Sequence, residues 1–343
     1  MSSDPLFEIR GLQKWYRSND GGLFDFLREE QFLKAVDDIS FDIEQGEILG
    51  VAGQSGCGKS TLGELLVLLR EASGGEIRFK DENIVDYTAA ERKAFRRDCQ
   101  IIFQNPYESL NPRFTVSQTV VEPLTIHDIG DSEDRSARAI RALEDAGLTP
   151  ADQYLDKFPT ELSGGERQRV SIARALVTDP EFIVADEPVS MLDVSIRTEI
   201  LHLFEKLQAE RDFTMLYISH DLSTINYLAD RTLIMYLGDI VELGDTRSVI
   251  QNPSHPYTEA LLNSVPVPDP DAGRVGAENE GSDISGDVPD PVDLPTGCRF
   301  HPRCKYATEE CREREPELAA VDPGREAACF HPVVERADEA AQE

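Results

Sequence analysis

The sequence predicts an α/β fold in which a largely parallel sheet carries a phosphate-binding loop, and three segments predict it. Gly53-Gln54-Ser55-Gly56-Cys57-Gly58-Lys59-Ser60 fits the pattern G-x-x-x-x-G-K-S/T. Phe182-Ile183-Val184-Ala185 is an apolar run that ends in two acids, Asp186 and Glu187. Leu162-Ser163-Gly164-Gly165-Glu166 places two glycines at the start of a helix-like stretch.

The first segment follows an apolar run, Glu47-Ile48-Leu49-Gly50-Val51-Ala52, and precedes a stretch of helical character from Thr61 to Arg70. Strand, loop and helix in that order are the context the loop pattern requires. Its glycines let successive N–H groups turn inward around phosphates, and the helix start adds the positive end of its dipole. Gly53, Ser55, Gly56, Cys57, Gly58, Lys59, Ser60 and Thr61 would form that cradle. Lys59 would reach the β- and γ-phosphates, and the Ser60 hydroxyl would ligate Mg²⁺. A glycine-rich turn with a chance lysine is the bland alternative.

The second segment reads as a buried parallel strand, punctuated beforehand by Asp179-Pro180. Its carboxyl end would deliver Asp186 to the Mg²⁺ shell and Glu187 to the attacking water. In the third, Ser163 at the N-cap and Glu166 three residues on make a capping box for the helix from Arg167 to Leu176. Such a helix start is also a cluster of N–H donors, suited to a γ-phosphate arriving from another subunit.

Composition narrows the class. With 343 residues and 40% hydrophobic content, the chain can build one large domain plus an appendage. No apolar run approaches the roughly 18–20 residues of a membrane helix. The acidic start, Met1-Ser2-Ser3-Asp4-Pro5, lacks the apolar core of a secretory signal, so a soluble, cytosolic chain is expected. The net charge of −31 repels nucleic acid and the protein itself unless salt screens it. The acids are spread along the chain (Asp128, Asp131, Glu133, Asp152, Asp156), which reads as adaptation to a high-salt cytoplasm such as that of a halophilic archaeon.

With Gln168-Arg169 close behind it, the LSGGE segment is the signature of ABC ATPases, and the chain resembles the nucleotide-binding subunit of an ABC transporter over nearly its full length. The resemblance implies an α/β P-loop ABC-ATPase core with a small antiparallel β-subdomain, a helical signature subdomain and a C-terminal Cys-containing extension. The antiparallel sheet would lie near Tyr16 and Ile77-Arg78-Phe79, and the helical subdomain at about 115–160, where Arg135 to Ala146 shows helical periodicity. Tyr16 would stack on adenine. Gln104, in Ile101-Ile102-Phe103-Gln104-Asn105-Pro106, would contact Mg²⁺ and water and sense a membrane partner. His220 would face the γ-phosphate. Ser163, Gly164, Gly165 and Glu166 would close on nucleotide from the opposite subunit, with Asp193 of Ser190-Met191-Leu192-Asp193 at the seam. Glu187, His220, Gln104 and Lys59 would carry the chemistry. The chain departs from the family at Met191, where alanine is more usual, and at Gln54, where glutamate is frequent in the subfamily. No consequence is expected from Gln54.

Gln104 to Arg113 and His255-Pro256-Tyr257-Thr258-Glu259-Ala260-Leu261-Leu262 are similar to stretches of dipeptide/oligopeptide importers. The insertion from Gly21 to Lys34 resembles the F-type member of their paired D- and F-type ATPases. The implied function is ATP hydrolysis that powers import of dipeptides, oligopeptides or a related solute such as nickel. The implied partners are a D-type ATPase, two membrane permeases and an extracellular solute-binding protein, which places the chain at the cytoplasmic side of the membrane. ABC ATPases of DNA repair or ribosome recycling share the nucleotide motifs but carry a long coiled coil or a second cassette, neither of which is seen here. A degenerate regulatory partner is the other alternative, against which Lys59, Ser163, Glu187 and His220 all stand.

The domain expectation is an ATPase at 1–262, an acidic Pro/Gly-rich linker at 263–296, a cysteine motif at 297–332 and a tail at 333–343. Cys298, Cys304, Cys311 and Cys329 are spaced C-x5-C-x6-C-x17-C, which fits neither common zinc ribbons nor ferredoxin runs. Spacing alone leaves a metal site and free thiols open. Gly297-Cys298-Arg299-Phe300-His301-Pro302-Arg303-Cys304 resembles the importers' C-terminal motif, which implies a 4Fe–4S cluster, with zinc as the alternative and His301 and His331 as spare ligands. Cys57 and Cys99 read as plain small residues.

Overall fold

The computed structural model describes residues 5–17, 31–264, 287 and 289–333. Most of the insertion at 21–34, most of the linker and nearly all of the tail lie outside the described residues.

The chain opens with β1 (Pro5–Arg17), β2 (Phe32–Glu44) and β3 (Ile48–Ala52), then α1 (Lys59–Leu66), β4 (Gly74–Phe79) and β5 (Glu82–Asn83). Next come α2 (Ala89–Asp98), β6 (Cys99–Ile102) and the helices α3 (Pro106–Ser109), α4 (Val116–Ile126), α5 (Ser132–Asp145) and α6 (Gly164–Leu176). The core resumes with β7 (Phe182–Asp186), α7 (Val194–Arg211), β8 (Thr214–Ile218), α8 (Leu222–Leu228), β9 (Arg231–Tyr236) and β10 (Asp239–Asp245). Helices α9 (Thr246–Gln251), α10 (Pro256–Asn263) and α11 (Glu309–Glu313) precede β11 (Ala319–Asp322) and β12 (Arg325–Ala327).

Two sheets organise these elements. The main one has the order β11-β12-β10-β9-β3-β8-β7-β6, with parallel pairing from β6 through to β9. The smaller is antiparallel, β2-β1-β4-β5. Strands β3, β7 and β8 are buried at every residue, as a sheet covered on both faces requires. Their alternate side chains serve two cores. Ile183, Ala185, Met215 and Tyr217 pack toward the helical layer of α4 to α7, whereas Phe182, Val184, Leu216 and Ile218 pack toward α1 and the antiparallel sheet.

The helical layer is locally encoded. Thr115 and Gln118 form a capping box at the start of α4. Asp131 caps α5, and the periodic stretch read from sequence buries Ala139, Ala142 and Leu143 on one face of that helix. Helix α1 falls short of the Arg70 expected for it. It ends at Leu66, because the chain turns through a left-handed Leu68 (φ 54°) that tucks Leu68 into the core and leaves Leu69 exposed.

The C-terminal extension continues the main sheet. Strand β12 pairs antiparallel with β10 through Glu242↔Ala327 and Gly244↔Arg325, and β11 pairs in turn with β12. No helix among the described residues is long and apolar enough to cross a membrane.

Candidate nucleotide site

A cleft of about 520 Å³ opens where β1, β2, the loop before α1 and the ends of β7 and β8 meet. Tyr16, Leu33 and Ala35 form one wall; Ser55, Gly56, Gly58, Lys59, Ser60 and Thr61 form the floor; Gln104, Glu187 and His220 close the far side. The first group offers an aromatic face and apolar flanks, the second offers N–H donors and a cation, and the third offers a carboxylate with two partners.

The floor is shaped by glycine. Gly58 has φ 108°, and a Cβ there would lie 1.9 Å from the Ala35 carbonyl oxygen, so only glycine lets the loop pass. The start of α1 has no side-chain cap and no acid in its first turn. Its N–H groups therefore remain as donors for an anion. Lys59 is buried and donates to the Gly53 and Gln54 carbonyls at 2.8 and 3.1 Å, which holds its ammonium over the floor.

Ser60 Oγ donates to Asp186 Oδ1 at 3.1 Å. Burial pushes the Asp186 carboxyl up from its ordinary range, and the Ser60 hydrogen bond opposes that shift. A hydroxyl and a carboxylate at this separation are the hard oxygen donors that suit Mg²⁺ beside a phosphate. Glu187 follows with a positive φ of 44°, a conformation that costs a non-glycine residue energy. Its N–H donates to the Ile218 carbonyl at 2.9 Å, which ties this turn to β8. Gln104 Nε2 donates to Glu187 Oε2 at 2.8 Å, and His220 Nδ1 lies 3.1 Å from the same oxygen. One carboxylate oxygen is thus shared by the two residues expected to sense and flank the γ-phosphate.

Several expected residues contribute without lining the cleft. Gly53 and the Cys57 side chain are buried beneath the floor, where Cys57 packs in the core and burial raises its thiol pKa; Cys99 is equally buried. Asp193 caps α7, accepting from Ile196 N and Ser195 Oγ. Ser163, Gly164, Gly165 and Glu166 begin α6, and none of them lines the cleft of their own chain. Ser163 Oγ accepts from Glu166 N, and Glu166 Oε2 accepts from Ser163 N at 2.7 Å, which closes the capping box read from the sequence.

Sequence reasoning missed Leu33 and Ala35, whose only signal was their alternation on β2. It also missed the role of Gln54. That side chain accepts from Arg303 of the C-terminal extension at 3.0 Å.

The four extension cysteines come together. Cys298, Cys304, Cys311 and Cys329 line one small cavity with His301 and His331. Among the described residues the six cysteines form no disulfide. Burial, reinforced by the neighbouring Cys329, Cys304 and Cys311, pushes the Cys298 thiol up to about 12. The donor chemistry fits a thiophilic metal. The ligand shell is not closed, however: among the described residues no three His, Cys, Asp or Glu side chains are grouped so as to hold a metal ion.

Comparison with known proteins agrees with this geometry. Residues 36–190 match the family described as ABC transporter, and residues 241–311 match the family described as the C-terminal region of oligopeptide/dipeptide transporters. The dipeptide transport ATP-binding protein DppF of Haemophilus influenzae is 42% identical over 327 residues, 95% of this chain and 97% of that protein. This chain belongs to the ATP-binding subunits of the dipeptide/oligopeptide ABC transporter family. The oligopeptide transport ATP-binding protein AppF of Bacillus subtilis is 40% identical, covering 96% of this chain and 98% of its own. Among solved structures, the dimeric ATP-binding cassette MJ0796 bound to ADP and Pi has a TM-score of 0.62 and 28% identity, covering 70% of this chain and 99% of that one. As a member of this family the chain is an ATP-hydrolysing transport ATPase, and MgATP is the nucleotide its cleft is built to receive.

Proposed function

We propose that this chain powers the uptake of dipeptides or oligopeptides through two partner permeases on the cytoplasmic side of a membrane, opposite a second, D-type ATPase. A solute-binding protein would deliver the cargo, and nickel or another small solute is the alternative cargo. One observation carries the mechanism: the cleft holds the loop, Lys59, Gln104, Glu187 and His220, while the exposed start of α6 faces elsewhere. Each chain then supplies half of a site, and closure of two chains brings Ser163 and Gly165 of one against the phosphates of the other.

In that closed state Lys59 and the N–H groups of α1 would neutralise the β- and γ-phosphates, and Ser60 and Asp186 would hold the accompanying Mg²⁺, which would offset phosphate charge. Glu187 positions and polarises the attacking water, with Gln104 and His220 fixing its carboxylate. Exposed Tyr107, Ile126 and Phe158, in and around the helical layer, suit contact with a permease. Reconstitution with permeases and binding protein tests the reading. ATPase activity should rise when peptide-loaded binding protein is added, and activity indifferent to every partner would count against it.

The four converging thiols support a resident 4Fe–4S cluster, with zinc as the alternative. Such a group would act as a structural staple for the extension. Iron, acid-labile sulfide and zinc contents after anaerobic purification decide between them: colourless protein with stoichiometric zinc rules out the cluster. The charge of −31 supports a protein adapted to high salt, as in a halophilic archaeon.

A further inference from the structure

We propose that Arg303, in the cysteine-bearing extension, is a positioning residue for the phosphate-binding loop. It acts through Gln54, so that nucleotide affinity depends on a segment far outside the ATPase motifs. Arg303 ends a single turn, His301–Arg303, set between Cys298 and Cys304. Its guanidinium is buried, and Nη1 donates to Gln54 Oε1 at 3.0 Å and to the Tyr236 hydroxyl at 3.3 Å.

Gln54 is held at its side-chain oxygen, its backbone N–H and its carbonyl. Its side chain accepts from Arg303, and its N–H donates to the Tyr257 hydroxyl of α10 at 2.8 Å. Its carbonyl accepts from Lys59 Nζ at 3.1 Å and from Cys57 N at 3.3 Å. The residue that carries the Lys59 contact is therefore the same one that the extension grips. Releasing its side chain loosens the first turn of the loop, and the loop must be ordered to present its N–H groups to phosphate.

The charge of Arg303 is the second part of the argument. No carboxylate among the described residues pairs with it, and its Nε has no hydrogen-bond partner. A buried cation satisfied only by neutral acceptors costs desolvation energy that an amide or a hydroxyl in its place would avoid. Set behind a loop that receives a polyanion, the same cation stabilises bound phosphate, because fields act strongly across a poorly solvated interior.

Its neighbour Arg299 contrasts with it. Arg299 donates to Asp37 Oδ2 at 2.8 Å, to Glu315 Oε1 at 3.0 Å and to the Leu237 carbonyl at 2.7 Å, so its charge is matched. Asp37 also accepts from the indole of Trp15, one residue before Tyr16, at 2.9 Å. Arg299 thus braces the wall of the cleft, and Arg303 braces its floor.

The test is MgATP binding by the full chain, measured calorimetrically, for Arg303→Gln, Arg303→Lys, Gln54→Ala and the Arg303→Gln/Gln54→Ala double variant. A hydrogen bond to a charged donor supports an expected weakening of about tenfold in Kd for Arg303→Gln. Arg303→Lys, which keeps the charge, should recover part of that loss. The double variant should bind no more weakly than the poorer single variant, because both act on one contact. Turnover at saturating nucleotide by the assembled pair should stay within about twofold, placing the effect on KM rather than kcat. Wild-type affinity in a folded Arg303→Gln chain would overturn the proposal, and so would additive losses in the double variant. Should Arg303→Gln fail to fold, Gln54→Ala carries the test alone, and wild-type affinity there overturns it equally.

Discussion

Two helices in this chain point their N-termini at open space, and they are finished in opposite ways. Helix α1 begins after a left-handed glycine with no side-chain cap and no acid, so its donors are left for a ligand. Helix α6 begins with Ser163 and Glu166 locked in a reciprocal capping box, and it stands outside the cleft. The first offers its N–H groups to an anion. The second has its Ser163 and Glu166 N–H groups satisfied by the box and is partly exposed, which suits a surface proposed to dock onto a nucleotide held elsewhere. The difference is what the proposed half-site requires of a chain that carries both sets of residues.

The contrast breaks most sharply at Glu187. Glu187→Gln keeps the hydrogen bond from Gln104 within reach and leaves the α1 cradle intact, so MgATP binding should persist. Hydrolysis should fall by roughly 100-fold or more, the usual scale for losing a positioned base. Unchanged turnover would remove Glu187 from the mechanism.

The next effect lies on the other half. A Cβ at Gly165 would stand 2.8 Å from Ile196 Cγ2, so Gly165→Val should distort the start of α6. Nucleotide binding by the isolated chain should be unaffected, while hydrolysis by the assembled pair should drop at least about tenfold, on the scale of losing a transition-state contact. Ser163→Ala removes the cap and should cost about 1 kcal/mol of stability, seen as a lower urea midpoint. Equal losses of nucleotide binding in the isolated chain would show that α6 and α1 share a cleft after all.

Much of this was legible because it is local. The loop pattern, the buried strand ending in Asp186-Glu187, and the Ser163–Glu166 box each depend on residues a few positions apart, and their chemistry follows from spacing. The early end of α1 was not legible, since the left-handed Leu68 answers to burial of its side chain rather than to propensity. Nor was Gln54. A position that reads as a variable loop residue is gripped by Arg303 across nearly the whole sequence, and no periodicity reports such a contact. Leu33 and Ala35 were hidden for a related reason: their strand is ordinary, and only the pairing with β1 brings them beside Tyr16.

Two smaller effects sharpen the account of what surrounds the cleft. Acidic self-repulsion should make stability rise with salt, by roughly 5–10 °C in Tm between about 0.2 and about 2 M KCl, as screening shortens to a few ångströms. A flat or falling Tm would contradict the high-salt reading. Asp239 is raised to about 6 by burial, with Arg299 opposing the shift. Its folded form holds a proton that the unfolded chain releases near pH 4, so its contribution to stability falls as pH rises from about 4 to about 6. Asp239→Asn, which keeps the acceptor for Ile240 N, should therefore stabilise the protein by about 1–2 kcal/mol at pH 7 and by almost nothing at pH 4. An equal gain at both pH values would mean that Asp239 is already ionised as freely in the fold as in the unfolded chain.

The most direct test of the proposed half-site is sedimentation of Glu187→Gln with the proposed D-type ATPase, with and without MgATP. MgATP should convert separate chains into a compact two-chain species that disperses when the nucleotide is removed. Nucleotide bound at full occupancy with no change in sedimentation would contradict the account.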